Sequence, residues 1–163
     1  MPNEPRRPFT ALFALGCFFA ADAALFAALI WGYWLTAAAF PQGTTLFSWF
    51  PQADMLSQVL LVCALTVGAV IIGAFLGIAG WYGYLGYKWT RIWGIFAFLL
   101  ACAAPLIGWL GWAVAGLAFA GLFALWLPAT GRFFRACHAR RHPAPTFEAM
   151  PENVAYGPLP KYR

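Results

Sequence analysis

The residue of this sequence best placed to do chemistry is Asp22, a single carboxylate inside an otherwise apolar run from Phe9 to Ala38. A charged carboxylate near the centre of a membrane helix costs about 2.5 to 3.5 kcal/mol, so it needs a proton or a partner. Three roles satisfy this need. A protonated Asp22 could hydrogen-bond to Thr66 or to a backbone carbonyl, a neighbouring subunit could bind it, or it could couple transport to a proton or cation.

The helical periodicity of the same run places Asp22 among large side chains. At 100° per residue its face includes Phe18, Leu25 and Leu29, away from the small residues of the helix. If the small residues pack inside the protein, Asp22 points outward. We therefore expect it to face lipid or a neighbouring protein, and Thr66 is the polar internal candidate at a similar depth.

A second candidate for chemistry is the pair His138 and His142, four residues apart and next to Cys137. This spacing puts both imidazoles on one helix face, which is the arrangement of a partial metal site. Arg140 and Arg141 lie between them, and the sequence supplies no obvious third and fourth ligands. A basic helix beside a membrane explains the same residues better, so we predict no metal and no cofactor.

The four cysteines form no CxxC pair, so neither a disulfide framework nor a thiol oxidoreductase is indicated. No histidine lies in an apolar run, which argues against a bis-histidine haem. Nucleotide-binding loops, nucleophile elbows and zinc-protease motifs are also missing from the sequence. These observations favour a protein that is not an enzyme.

The elements that must position these residues are apolar helices. Of 163 residues, 63% are hydrophobic and 9% are charged, against roughly 25% charged in ordinary soluble domains. We predict an all-α integral membrane protein with four transmembrane helices. Its predicted segments are a cytoplasmic N-terminus (1–8), four spans (about 9–38, 55–82, 92–107 and 112–130), a basic amphipathic extension of helix four (131–142) and a proline-rich tail (143–163).

No charged residue marks the boundary between the third and fourth spans, because Ile92 to Thr130 is uncharged throughout. We infer the boundary from the length of this segment. A single helix of 39 residues would be about 58 Å long, nearly twice the thickness of the hydrocarbon. We place the hinge at Gly108 to Trp112, with Pro105 kinking the end of helix three.

Charge distribution fixes the predicted orientation. Four spans with a cytoplasmic N-terminus place all ten basic residues on one side, as the positive-inside rule requires. Both termini are then cytoplasmic. The Arg6-Arg7 pair before an apolar run resembles an export signal, but the run continues to about Trp34 and is long enough to span, so we predict a retained helix.

Small residues at helical spacing predict where the helices meet, because close backbone approach drives association in lipid. The predicted contact positions are Ala14, Cys17, Ala21, Ala24 and Ala28 on helix one, and Ala69, Gly73, Gly77 and Gly80 on helix two. Packing within one four-helix unit is the first interpretation. Homo-oligomerisation or docking on another subunit is the alternative.

We predict a non-catalytic accessory or assembly subunit of a larger membrane complex, in a bacterial inner membrane. Its expected partners are other integral membrane subunits and a bilayer with anionic headgroups; nucleic acid is not expected, since the basic residues flank apolar runs. The predicted headgroup contacts are Arg132, Arg135, Arg140 and Arg141. The alternative is a small oligomeric proton-coupled transporter using Asp22, which resembles small four-helix drug exporters in helix count and in carrying an acid in helix one.

Overall fold

The computed structural model describes residues 7–35 and 55–142, and every regular element in these two ranges is helical. A short 3₁₀ turn, Ala104–Leu106, follows the third helix. The α-helices are α1 (Phe9–Leu35), α2 (Met55–Tyr84), α3 (Thr90–Ala101), α4 (Gly111–Trp126) and α5 (Pro128–Arg141). The predicted outer loop (40–54) and proline-rich tail (143–163) lie outside the described residues.

Two of these helices are long and apolar enough to cross a membrane, over Phe9–Trp31 and Val59–Tyr84. A third candidate is α4 taken together with α5, which are bent relative to each other by 61°. The apolar segment Thr90–Leu106 is shorter. The prediction of an all-helical chain with transmembrane helices is therefore confirmed in this coarser form, as two or three candidate spans.

The first four helices pack side by side in a ring. α1 lies against α2 and α4, and α3 lies against the same two helices from the other side. Contacts between helix ends show that the helix directions alternate around the ring: Arg7, just before α1, lies against Tyr84 at the end of α2, and Thr10 is hydrogen-bonded to Thr130, just after α4. The end where α1 begins is therefore also the end where α2 and α4 finish and α3 begins.

The centre of the ring is occupied by Phe18 of α1, whose side chain is fully buried. Its ring faces Gly121 of α4, where an added Cβ would lie 3.1 Å from the ring atoms. Its own Cβ lies 3.2 Å from the Cβ position of Gly80 on α2, and its ring tip is 3.8 Å from that of Gly94 on α3. Three glycines on three helices therefore make the room for one phenylalanine.

The reversal between α3 and α4 starts earlier than we predicted. α3 ends at Ala101, before Pro105, and the 3₁₀ turn carries the chain to Gly111, where α4 begins. Gly111 lies so close to the Ala104 carbonyl that an added Cβ would overlap it. Gly108 has nothing within 4 Å of its Cβ position.

The predicted unbroken passage of helix four into its basic extension is wrong. α4 ends at Trp126, and Leu127 takes an extended conformation with ψ of 145°. Pro128 then occupies the first turn of α5. Proline lacks the N–H that would continue α4 and disfavours helical geometry in the residue before it, so the chain turns by 61° at this point.

Candidate functional site

Asp22 lies between α1 and α2, against Gly73 of α2. Its Oδ1 atom is buried and would lie 2.5 Å from a Cβ at Gly73 of α2. The ring of Phe26, one turn further along α1, lies 3.1 Å from the same Cβ position. The carboxyl group is thus directed into the groove between the helices, while the residue as a whole is only half-buried.

The prediction that Asp22 points outward is therefore wrong. The buried stripe of α1 is wider than its small residues alone, because Phe18, Leu25 and Leu29 are buried as well. Asp22 stands at the edge of this wider stripe, on the side of α2. The pattern of small residues on α1 therefore predicted part of its packed face but missed the large residues that widen it.

The Asp22 Oδ1 atom has no hydrogen-bond partner among the residues that the structure describes. Thr66, the predicted internal partner, donates its hydroxyl to the carbonyl of Val62 at 2.8 Å. Thr66 also precedes Gly73 by seven residues, which is about 10 Å along α2. The structure thus brings Asp22 to Gly73 and does not bring Thr66 to Oδ1.

The predicted contact positions are distributed as follows. Ala24 is partly buried and packs against the core, and Gly77 is partly exposed with open space beside it. The remaining predicted positions are buried: Ala14, Cys17, Ala21 and Ala28 on α1, and Ala69, Gly73 and Gly80 on α2. Of the two glycines in the GxxxG pattern, only the first makes a close approach.

This difference between the two glycines gives a test of the α1–α2 groove. We expect Gly73→Ala to destabilise the protein by about 1 to 3 kcal/mol, because the new methyl group overlaps the Asp22 carboxyl and crowds Phe26. The matched change Gly77→Ala should be neutral or slightly stabilising, since it meets open space. Unfolding in mixed micelles measures both, and equal effects of the two changes would contradict the groove.

The second candidate site is the end of the ring where α5 lies, which we call the cationic end. Its described basic residues are Arg7, Lys88, Arg91, Arg132, Arg135, Arg140 and Arg141. Within residues 7–35 and 55–142, Asp22 is the only acidic side chain, and it lies about 22 Å further along α1 than Arg7. The cationic end therefore has no carboxylate of its own from these ranges.

Two contacts between distant parts of the chain assemble this end. The hydroxyls of Thr10 and Thr130 are hydrogen-bonded at 2.7 Å, which joins the start of α1 to α5. The Thr130 hydroxyl also lies 2.9 Å from the carbonyl oxygen of Ala124, across the α4–α5 bend. Thr130 is fully buried, so this small polar cluster fixes the direction in which α5 leaves the ring.

Aromatic rings and backbone carbonyls hold the basic side chains in place. The Arg7 guanidinium lies 4.3 Å from the centre of the Tyr84 ring, and that of Arg141 lies 3.8 Å from the centre of Tyr87. Arg141 also donates hydrogen bonds to the carbonyls of Leu85 and Gly86. These contacts order the side chains without neutralising their charge, because rings and carbonyls carry no net charge.

Gly86 allows α5 to pack onto the turn between α2 and α3. It has φ of 81°, in the left-handed region that favours glycine. A Cβ there would lie 2.7 Å from the Cys137 sulfur and 3.1 Å from Phe133. Burial raises the pKa of the Cys137 thiol, with Arg141 the largest opposing influence, so the thiol stays protonated at neutral pH. Cys137 is therefore a packing residue here.

His138 and His142, the weak metal candidates, do lie together, with ring centres 4.8 Å apart in an edge-to-face arrangement. Cys137 is turned away from them toward Gly86. No cluster of three metal-ligating side chains occurs among the described residues. The positive charge of Lys88 is the largest cause that lowers the pKa of His138, so this imidazole is neutral at physiological pH.

The influence of Lys88 on His138 is directly testable. We expect Lys88→Gln to raise the pKa of His138 toward its ordinary value, because removal of the nearby positive charge makes protonation easier. At a pH below neutrality a larger fraction of His138 would then be protonated. Titration of the imidazole signals by NMR measures this, with Arg135→Gln as the control, and an unchanged midpoint in Lys88→Gln would refute this influence of Lys88.

Two clefts flank α5 at the cationic end. One, of about 400 Å³, is lined by Arg7, Tyr84, Arg140 and Arg141 among others. The other, of about 830 Å³, opens between α5 and the start of α3 and contains four basic side chains, Lys88, Arg91, Arg132 and Arg135. We call this second cavity the α3–α5 cleft. The positive-inside rule predicts that these basic residues lie on one membrane side, but it does not predict a cleft among them.

Comparison of the chain with protein-family models, with curated proteins and with solved structures finds no match. Its class therefore rests on the fold and the site alone. They define a helical protein with two or three candidate membrane spans, a carboxyl group in a groove between two of its helices, and a cationic end lined by aromatic residues.

Proposed function

We propose that α3 and α4 also cross the membrane, which gives four spans with both termini on the cytoplasmic side. The alternating helix directions and the collection of basic residues at one end support this topology. α3, with 12 residues, is about 18 Å long and α4, with 16 residues, is about 24 Å long. Both are shorter than the hydrocarbon thickness, which local thinning of the bilayer accommodates. Trp109 and Trp112, both more than 70% exposed at the tip of the hairpin, suit the opposite interface.

Within this topology we infer that the protein is a non-catalytic accessory or assembly subunit of a larger membrane complex. The observation that carries the proposal is the cationic end, where rings and carbonyls order Arg7 and Arg141 and no acidic side chain of residues 7–35 and 55–142 compensates the charge. Such a surface attracts acidic partners and anionic headgroups and sets their orientation. His142, the last residue that the structure describes, lies at this same end, and we infer that the proline-rich tail after it binds along a partner.

Co-purification from native membranes in mild detergent tests this proposal. We expect a defined set of other integral membrane proteins to be recovered in fixed proportion with the full chain. Deletion after His142 should preserve insertion but reduce their recovery. Recovery of self-oligomers alone would overturn the proposal, and unchanged recovery by the shortened chain would remove the tail from it.

A second function, proton-coupled transport, is favoured by one observation: the Asp22 Oδ1 atom is buried between α1 and α2 without a partner in the described residues. A carboxyl group so placed binds a proton readily and releases it when a cation arrives. Proteoliposomes with an imposed pH gradient and ethidium as the test cation separate the two functions. A transporter loses uptake in Asp22→Asn, whereas an accessory subunit shows no uptake and its Asp22→Asn variant still recovers its partners.

A further inference from the structure

We propose that the α3–α5 cleft binds the phosphate group of an anionic membrane phospholipid, whose acyl chains then lie along the outer faces of α3 and α4. This inference rests on the proposed placement of the cationic end at the membrane surface. It names a defined binding site there, beyond a general attraction between arginines and headgroups.

The cleft gathers positive charge from three separate elements. Lys88 comes from the turn between α2 and α3, Arg91 from the first turn of α3, and Arg132 and Arg135 from α5. No acidic side chain from the described ranges lines it. Four like charges in one cavity repel each other, so an anion that enters lowers the energy of all four.

Arg91 is the residue that distinguishes this cleft from a merely basic surface. Its guanidinium lies 5.5 Å from the centre of the Trp126 ring and 5.4 Å from that of Phe134. Its Nε–H group is buried without a hydrogen-bond partner among the described residues. At Gly131 a Cβ would lie only 2.7 Å from Arg91 Nη2, so this glycine leaves the room in which the guanidinium stands.

A buried guanidinium N–H without an acceptor is costly, and a phosphate oxygen satisfies it particularly well. Guanidinium and phosphate match in geometry, since two parallel N–H groups reach two oxygens. Arg132 and Arg135, both exposed on α5, can close over the same group from the other wall. The volume of about 830 Å³ accommodates a headgroup rather than a single ion.

The apolar surroundings of the cleft favour a lipid over a soluble phosphate. Ile92 and Trp126 form its membrane-facing wall and are 62% and 54% exposed. From them, rows of exposed large apolar side chains lead away from the cationic end. These rows are Ile92, Phe96 and Leu99 on α3, and Trp126, Phe123 and Phe119 on α4. A phospholipid whose phosphate group lies in the cleft would thus have its acyl chains along these two rows.

The other cleft at this end is less suited to bind an anion. Its Arg141 already donates to the carbonyls of Leu85 and Gly86 and stacks on Tyr87. Its Arg7 stacks on Tyr84. This comparison supplies a matched control, because Arg140 lines the smaller cleft and lies on the same helix as Arg132 and Arg135.

The test uses the purified full-length chain in a neutral detergent, titrated calorimetrically with dioctanoyl phosphatidylglycerol and, separately, with inorganic phosphate. We expect Arg132→Gln and Arg135→Gln each to weaken binding of the lipid about ten-fold, since each removes a charged hydrogen-bond donor. Arg140→Gln, with the same loss of charge, should change it less than about two-fold. Gly131→Ala should weaken it without any change of charge, because the methyl group displaces the Arg91 guanidinium.

Three results would overturn the proposal. Equal weakening by Arg140→Gln would show diffuse attraction instead of a site. Inorganic phosphate binding as tightly as the lipid would assign the cleft to a soluble anion. In a third titration, with a hexaglutamate peptide, binding as tight as that of the lipid would assign the cleft to an acidic protein segment. Because the titration uses the isolated chain, its failure is distinct from a failure to recover partners from membranes.

Discussion

Replacing Gly111 with alanine is expected to disrupt the α3–α4 hairpin, whereas the same change at Gly108 should leave it intact. The Cβ added at Gly111 overlaps the carbonyl of Ala104 and the adjoining peptide bond to Pro105. These are backbone atoms of the 3₁₀ turn, which cannot rotate away as a side chain can. We expect a loss of about 3 kcal/mol or more, the upper range for overpacked positions.

The control at Gly108 makes this prediction specific. Gly108 belongs to the same turn, has no atom within 4 Å of its Cβ position and does not have positive φ. Alanine there restricts only the unfolded chain and should be neutral or stabilising by about 0.4 to 1 kcal/mol. Unfolding of both variants in mixed micelles, followed by tryptophan fluorescence, measures the difference. Similar stabilities for the two variants would show that α4 does not begin against Ala104.

The contrast between these two glycines shows how far the sequence can define a turn. Composition and segment length predicted a reversal near Gly108 to Trp112, because an uncharged segment of 39 residues is too long for one helix. The actual turn occupies the residues between Ala101 and Gly111. Which glycine is essential depends on the approach of one backbone segment to another, and that information is not contained in local residue types.

The break between α4 and α5 was, in contrast, visible in the sequence. Leu127 precedes Pro128, and a residue before proline avoids helical geometry. The predicted fourth span, which ends at residue 130, follows the absence of charge up to Thr130 and does not take account of this proline. Backbone chemistry acts at each residue, whereas hydropathy averages over a window, so proline is the better guide to where a helix ends.

The sequence predicted which residues gather at the candidate sites but not which contacts they make there. The positive-inside rule collected the basic residues on one side, and the structure does bring Arg7, Lys88, Arg91 and the arginines of α5 to one end of the ring. The aromatic and carbonyl partners of Arg7 and Arg141 come from the end of α2 and from the turn after it, whose geometry the sequence leaves open. For Asp22, the sequence identified the residue as a candidate, because it is a carboxylate in an apolar run. It did not determine the direction of the side chain, because that depends on how wide the packed face of α1 is.

Phe18→Ala is expected to destabilise the protein about as strongly as any change in the centre of the ring. In lipid the unfolded helices remain out of water, so little transfer free energy is lost and the emptied space sets the cost. At about 24 cal/mol per Å³, a vacated volume of roughly 100 Å³ corresponds to about 2.4 kcal/mol. The neighbours cannot collapse into the space, because Gly80, Gly94 and Gly121 have no side chains to move.

The effect of a second substitution, Gly121→Ala, on stability is expected to change sign when Phe18 is removed. Gly121→Ala alone should destabilise the protein, since its Cβ would lie 3.1 Å from a Phe18 ring that is fully buried and has little room to move. In the Phe18→Ala background the same methyl group enters the vacated space and should be stabilising. The double-mutant cycle, measured by unfolding in mixed micelles, isolates the coupling between the two positions. If Gly121→Ala has the same effect on stability in both backgrounds, Phe18 does not lie against α4. The packing of the four helices around Phe18 would then be wrong.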